Sequence, residues 1–343
     1  MSKIRRNLVM AAALILCTPV LSAVAAVPAQ AQDLPPGPAV GTDHNGNEYA
    51  FWENQNQGLE QSTFDNGTKK WSTPAPVLVD GKGMGPLTSP PAVAVNYQNG
   101  YRYVFWVGTD NDVWETYYNQ NGWHTPAKVT DGVFHNPMGP VESGTQPTAG
   151  IDSNGYEYVM WENAGGGLEW TVWDGVEFVP QMAVAHSAPM GSEPSAAPSW
   201  GGADQVAVWE GTDSQLWTVY NSNAGASESW LTAPQEVTDI NGKGMGPLGS
   251  QPAACTDDTL IPTTWAVWSN TNQNLELTTS VSDSLYASAK SLGMGPLNSA
   301  PSISCGASER VFWRGTNGDI WEAYNNGSKW FGPDDQGISM NEQ

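Results

Sequence analysis

Gly83-Met84-Gly85-Pro86-Leu87, Pro91, Tyr103-Val104-Phe105-Trp106, Trp114-Glu115 and Trp123 follow one another along the chain, and the same order of landmarks keeps returning. The apolar run ending in Trp recurs as Tyr49-Ala50-Phe51-Trp52, Tyr158-Val159-Met160-Trp161, Val206-Ala207-Val208-Trp209, Trp265-Ala266-Val267-Trp268 and Arg310-Val311-Phe312-Trp313. Seven or eight residues later stands a second anchor, Leu59, Trp114, Leu168, Trp217, Leu275 or Trp321. Directly behind it come Glu60, Glu115, Glu169, Thr218, Glu276 and Glu322. A third aromatic follows in register: Trp71, Trp123, Phe178, Trp230, Tyr286 and Trp330. The Gly-Met-Gly-Pro-Leu connector has counterparts at Pro137-Met138-Gly139-Pro140-Val141, Pro189-Met190-Gly191-Ser192, Gly244-Met245-Gly246-Pro247-Leu248 and Gly293-Met294-Gly295-Pro296-Leu297. A proline opens every unit: Pro38, Pro91, Pro147, Pro194, Pro252 and Pro301. Repeats of this length are the mark of propellers or arrays.

The repeats run over about 38–90, 91–146, 147–193, 194–251, 252–300 and 301–343. Each reads as four short strands, with Asn45-Gly46, Asn99-Gly100 and Asn154-Gly155 supplying the tight turns before the second strand. Asn66-Gly67, Asn121-Gly122 and Asp174-Gly175 do the same before the fourth. A single such sheet cannot bury both its faces, so the units must stack, and closing them in a ring protects the edges. The expectation is an all-β, six-bladed propeller, with an open β-solenoid as the alternative. The sequence leaves open which strand is innermost. If the Pro-led strand belonged to the preceding blade, the stretch near Pro38 would close the ring beside Trp330. The second, fourth and sixth units share Gly108-Thr109-Asp110, Gly211-Thr212-Asp213 and Gly315-Thr316-Asn317, whereas the others carry Trp52-Glu53-Asn54, Trp161-Glu162-Asn163 and Trp268-Ser269-Asn270. That alternation predicts pseudo-threefold symmetry built from three double repeats.

Composition narrows the function. The 343 residues hold 13 Lys or Arg against 35 Asp or Glu, a net charge of -22. Nucleic-acid affinity depends on basic residues displacing counterions, so a nucleic-acid partner is argued against, as is docking to anionic lipid. Lys3, Arg5 and Arg6, the apolar Leu8–Leu16 run and Ala29-Gln30-Ala31 read as a secretory signal peptide over residues 1–31, so the mature chain, residues 32–343, is expected outside the cell. No other segment is apolar enough for membrane insertion. In an exported chain Cys255 and Cys305, which fall at matching places in neighbouring repeats, are expected to pair as a disulfide.

The repeated polar residues offer the chemistry. A carboxylate on a strand points away from its apolar neighbour and needs a partner, either a structural hydrogen bond to the next blade or the hydroxyls of a bound sugar. Glu60, Glu115, Glu169, Glu276 and Glu322 are the candidate hydroxyl acceptors, and Trp71, Trp123, Trp230 and Trp330 the candidate stacking platforms. Thr218 breaks the Glu series, which predicts a weak or missing fourth site. The four histidines, His44, His124, His135 and His186, lack metal-ligand spacing, Asp110-Asn111-Asp112 matches hairpin turns in sister units, and no phosphate loop or nucleophile elbow appears. No metal, cofactor or catalytic set is therefore expected.

Trp313-Arg314-Gly315-Thr316-Asn317-Gly318-Asp319-Ile320-Trp321 with Asn326-Gly327 and Trp330, and Trp106-Val107-Gly108-Thr109-Asp110 running to Trp123, resemble the blades of bacterial PLL-type and tectonin-like propeller lectins. The resemblance spans residues 38 to about 332. A second similarity is to six-bladed fucose lectins of fungi and soil bacteria, whose blades pair an Arg, a Glu and a Trp; Arg310, Glu322 and Trp330 fit that set in the last unit. Elsewhere the Arg position holds Tyr49, Tyr103, Tyr158, Val206 and Trp265, so the two resemblances together imply carbohydrate binding with the sugar unspecified. Glycans or glycoconjugates are the expected partners, with several weak sites gaining avidity around the ring. A protein-binding scaffold and a secreted glycoside hydrolase, which needs two carboxylates about 5–10 Å apart, remain the alternatives.

Overall fold

The computed structural model describes residues 34–152, 154–184, 190–198, 205–221, 233–257, 263–282, 285–306 and 308–340. Within them there is no helix, and the strands form six blade sheets, each a meander made from one contiguous stretch of chain, with a separate two-stranded hairpin of Leu78–Val79 and Lys82–Gly83. Blade 1 shows the plan: Ala39–Thr42 pairs with Glu48–Glu53, which pairs with Leu59–Asp65, which in turn pairs with the split outer strand Lys70–Trp71 and Ala75–Pro76. Blades 2 to 6 repeat it from inner strands Ala92–Val95, Thr148–Ile151, Ser195–Pro198, Ala253–Thr256 and Ser302–Cys305.

The Pro-led strand is the innermost. Pro38, Pro91, Pro147, Pro194, Pro252 and Pro301 all line the channel on the ring axis. An inner strand is a sheet edge, where the missing N–H of proline leaves no ladder bond unmade. The second strand lies mid-blade and is buried on both faces, as in Glu48–Glu53 and Thr264–Ser269. The core is correspondingly divided into six layers, one per blade-blade interface. Ala92, Phe105, Val113 and Met138 of blade 2, for example, meet Ile151, Val159 and Trp161 of blade 3. Each Trp that ends a second strand faces the preceding blade, and all six are at most 2% exposed.

Because every Pro-led strand stays in its own blade, the ring is closed without exchange of a strand. The seam joins blade 6 to blade 1 through side chains, Thr42 Oγ1 to Ser304 Oγ at 2.7 Å, and through Ala300 N donating to the Pro35 carbonyl at 2.8 Å. The connectors explain their own motif. Met84, Met138, Met245 and Met294 are buried, and the backbone of Leu87, Val141, Leu248 and Leu297 donates to the hairpin residues Gln57, Asn111, Ser214 and Gln273. Blade 6, which lacks the motif, fills the same place with buried Ile338 and with Met340 N donating to the Gly318 carbonyl. Cys255 and Cys305 lie on adjacent inner strands, Cα atoms 5.6 Å apart, and form the disulfide.

Candidate functional site

The strand register corrects the alignment of the glutamates. Glu60, Glu169 and Glu276 lie opposite Trp52, Trp161 and Trp268. In the even blades the residues opposite the matching tryptophans are Trp114, Trp217 and Trp321. Glu115, Thr218 and Glu322 sit one residue further on, opposite Phe105, Val208 and Phe312. The constant landmark is the residue seven positions after each Trp (Leu59, Val113, Leu168, Leu216, Leu275, Ile320), never more than 1% exposed. A strand has a period of two, so the single-residue offset puts the two groups on opposite faces of their blades.

The first group belongs to the hairpin between second and third strands. Asn54 Nδ2 donates to Glu60 Oε1 at 3.1 Å, Asn163 Nδ2 to Glu169 Oε1 at 2.9 Å and Asn270 Nδ2 to Glu276 Oε1 at 2.9 Å. In each case the Asn Oδ1 accepts two backbone N–H groups of the turn, from Asn56 and Gly58, Gly165 and Gly167, or Asn272 and Asn274. Even blades close the same turn with an indole: Trp114, Trp217 and Trp321 donate to Asp110, Asp213 and Asn317 at 3.1, 3.0 and 3.0 Å. Gly108, Gly211 and Gly315 make room for that ring, since a Cβ there would lie 2.2–2.4 Å from the indole nitrogen. The alternation of Gly-Thr-Asp and Trp-Glu-Asn is therefore two ways of capping one turn. Among the described residues, the hydrogen bonds of the Glu60, Glu169 and Glu276 carboxylates run to their own hairpins.

The second group faces forward, into the grooves between blades. At the seam, Arg310 Nη1 lies 2.7 Å from Glu48 Oε1 of blade 1 and also pairs with Glu322 of its own blade. The aromatic of that groove is Trp71, partly exposed, edge-on to Phe312 at 6.1 Å and tilted against Phe64. Trp330 is elsewhere: it faces blade 5, edge-on to Trp265 at 6.0 Å, in a cavity that Leu277, Lys290 and Asn325 also line. The set expected in the last unit is thus split, Arg310 and Glu322 meeting Trp71 while Trp330 serves the preceding groove. The reason is the outer strand's register, which places Trp71 opposite Phe64 and Trp330 opposite Asn325, on the backward face.

The same rule separates Glu115 from Trp123. Trp123 contacts Phe51 edge-on at 5.7 Å in the groove between blades 1 and 2, together with Arg102. Glu115 enters the next groove with Tyr103 and Glu157, where the Tyr103 hydroxyl bonds the Glu157 carboxylate. Thr218, in place of a Glu, caps the Ala207 carbonyl at 3.2 Å. Trp230 lies outside the described residues. Among those described, no group of three His, Cys, Asp or Glu could hold a metal ion.

Electrostatics differ from groove to groove. Burial pushes Glu48 up to about 8, with the negative charge of Glu322 adding and Arg310 opposing. Burial also raises Glu115 to about 7 and lifts Glu157 well above the usual carboxylate range, with the neighbouring Glu115 charge reinforcing it. Glu48, Arg102 and Glu157 were missed in the sequence, as were Gln205, Thr264 and Glu309 at the same position. Each is a polar residue heading an apolar second strand, all at most 9% exposed. That pattern was the available signal.

An all-β ring of six four-stranded blades defines the chain as a six-bladed β-propeller. Its fold is that of solved lectins. The Aleuria aurantia lectin solved with Fucα1-6GlcNAc superposes with a TM-score of 0.63 at 13% identity, covering 90% of this chain and 97% of that one. BP39L lectin from Burkholderia pseudomallei gives 0.61 at 15%, covering 90% and 100%. AofleA from Arthrobotrys oligospora gives 0.64 at 11%, covering 88% and 86%. No protein-family model matches the chain, and no curated protein does.

Proposed function

We propose that this protein is a secreted lectin that binds glycans in its inter-blade grooves, with the seam groove its best-formed site. The observation that carries this is the meeting of Arg310, Glu322 and Trp71 in that groove, two hydrogen-bonding groups of opposite charge beside a partly exposed indole. Sugar hydroxyls both donate and accept, so a guanidinium and a carboxylate can grip neighbouring hydroxyls while the indole covers the apolar face of the ring. Glu48, fully buried, fixes the guanidinium from below. The fold neighbours solved with fucosides make a fucoside the first ligand to try here. The blade motifs that resemble PLL-type and tectonin-like lectins support the same reading, and the leader-like residues 1–31 support export.

Binding without turnover fits the groove. Glu48 is wholly buried and Glu322 is held on Arg310, so neither presents an open carboxyl to a glycosidic bond in this groove. The test is a glycan array followed by titration with methyl α-fucoside. The expected result is binding to a coherent set of glycans, weakened about tenfold or more by Glu322→Ala. A folded protein that leaves the array blank would refute the lectin reading.

A further inference from the structure

The groove between blades 1 and 2 inverts the charges of the seam. Where blade 1 offers Glu48 to the seam, blade 2 offers Arg102 to its own groove. Opposite Arg102, the position that holds Arg310 in blade 6 is taken by Tyr49. The Arg102 guanidinium lies over the rings of Tyr118 at 3.6 Å, Tyr49 at 4.4 Å and Trp123 at 5.7 Å. Arg102 is 8% exposed, its Nε has no hydrogen-bond partner, and among the described residues no carboxylate pairs with it. The acid nearest by charge, Asp43, is spent on other donors: the backbone of Asn45 and Asn47, the Asn47 amide and the Tyr49 hydroxyl. On the facing strand the Gln61 side-chain oxygen is buried and also unpartnered. Arginine packed on rings recovers part of its lost hydration through cation–π contact, but a buried guanidinium without an anion leaves directed donors unused. In a chain of net charge -22 a buried cation without a carboxylate partner is the exception that needs an occupant.

We infer that the blade 1–blade 2 groove, built from Arg102, Gln61 and Trp123, binds a carboxylated sugar, a uronate or a sialate residue. This inference rests on the lectin reading and assigns one of its grooves a ligand of a different class. The sugar carboxylate pairs with the guanidinium fork, Gln61 Oε1 accepts a ring hydroxyl, and Trp123 covers the apolar face. The acidity of the protein does not forbid this. Charges beyond about 8 Å are screened at physiological salt, whereas a carboxylate on Arg102 sits within that distance.

The experiment titrates the full chain with five ligands by calorimetry: methyl α-fucoside, the methyl glycosides of glucuronic and N-acetylneuraminic acid, and the methyl esters of those two acids. The expected result is that at least one free acid binds, that its ester binds about tenfold or more weakly, and that Arg102→Met removes the difference. Arg102→Lys, which keeps the charge and loses the fork, is expected to restore part of it. The ester comparison needs no variant, so it stands even where Arg102→Met does not fold. Fucoside binding with no response to either acid overturns this inference and leaves the lectin reading intact; an acid whose ester binds equally well, or whose affinity ignores Arg102→Met, overturns it too. Silence toward all ligands counts against both readings.

Discussion

Replacing Glu157 by Gln should stabilise the protein above neutral pH and leave it unchanged in mild acid. Glu157 is 5% exposed, faces Glu115 across the blade 2–blade 3 groove, and accepts the Tyr103 hydroxyl. Its carboxyl is held well above the ordinary value of 4.5, first by burial and then by the Glu115 charge. A group whose folded value is raised in this way stabilises fully below its unfolded value and loses that stability as the pH climbs through the folded one. One proton is worth about 1.4 kcal/mol for each pH unit between the two values. Ionising a carboxyl buried without a cation costs on the order of a few kcal/mol even after relaxation and water entry, so about 1–3 kcal/mol of strain at pH 8 is the working figure. Glutamine keeps an oxygen for Tyr103 and cannot ionise. Thermal unfolding followed by circular dichroism should then show equal midpoints for both proteins near pH 4, below the unfolded value. At pH 8 the variant should melt about 3–8 °C higher. A variant that shifts equally at both pH values, or melts lower at pH 8, would show that Glu157 is not a buried acid under charge stress.

Asn163→Ala removes the oxygen that accepts two turn N–H groups and the amide that donates to Glu169; it should cost about 2–3 kcal/mol in denaturant unfolding while fucoside affinity stays the same, and a fall in affinity would return Glu169 to the binding site. Reducing the Cys255–Cys305 bridge, which spans 50 residues, should lower the thermal midpoint by up to about 4 kcal/mol of equivalent stability, read by scanning calorimetry with and without reductant; an unchanged midpoint would mean the ring holds blades 5 and 6 together unaided.

The architecture was readable because its landmarks are backbone and core residues under hard steric rules. Proline at an inner edge, Trp at the end of a doubly buried strand and Met under each connector leave few substitutes, so they recur in place. The polar residues were readable in kind and not in register. Trp114, Trp217 and Trp321 imitate an apolar anchor in sequence, yet their rings lie over a turn, and counting them as anchors moved Glu115 and Glu322 onto the wrong face. Partnership across blades was invisible for a different reason. Trp71 and Arg310 stand at opposite ends of the chain, and only closure of the ring makes them neighbours. Arg102 and Glu157 escaped notice because their shared position changes from Glu to Arg, Gln and Thr around the ring, although it is polar in every blade.

The absence of a shared strand at the seam gives the groove of Arg310 a second meaning. Many hairpins and five interfaces follow from local chain order, but the contact of blade 6 with blade 1 is the single place where the two ends of the fold must find each other. Arg310, held by Glu322 from the last blade and Glu48 from the first, is the clasp. A ligand lodged against it touches residues more than 200 positions apart in sequence, Trp71 on one side and Glu322 on the other. Recognition there is thermodynamically linked to ring closure: whatever binds only the closed seam adds its own free energy to keeping the circle shut.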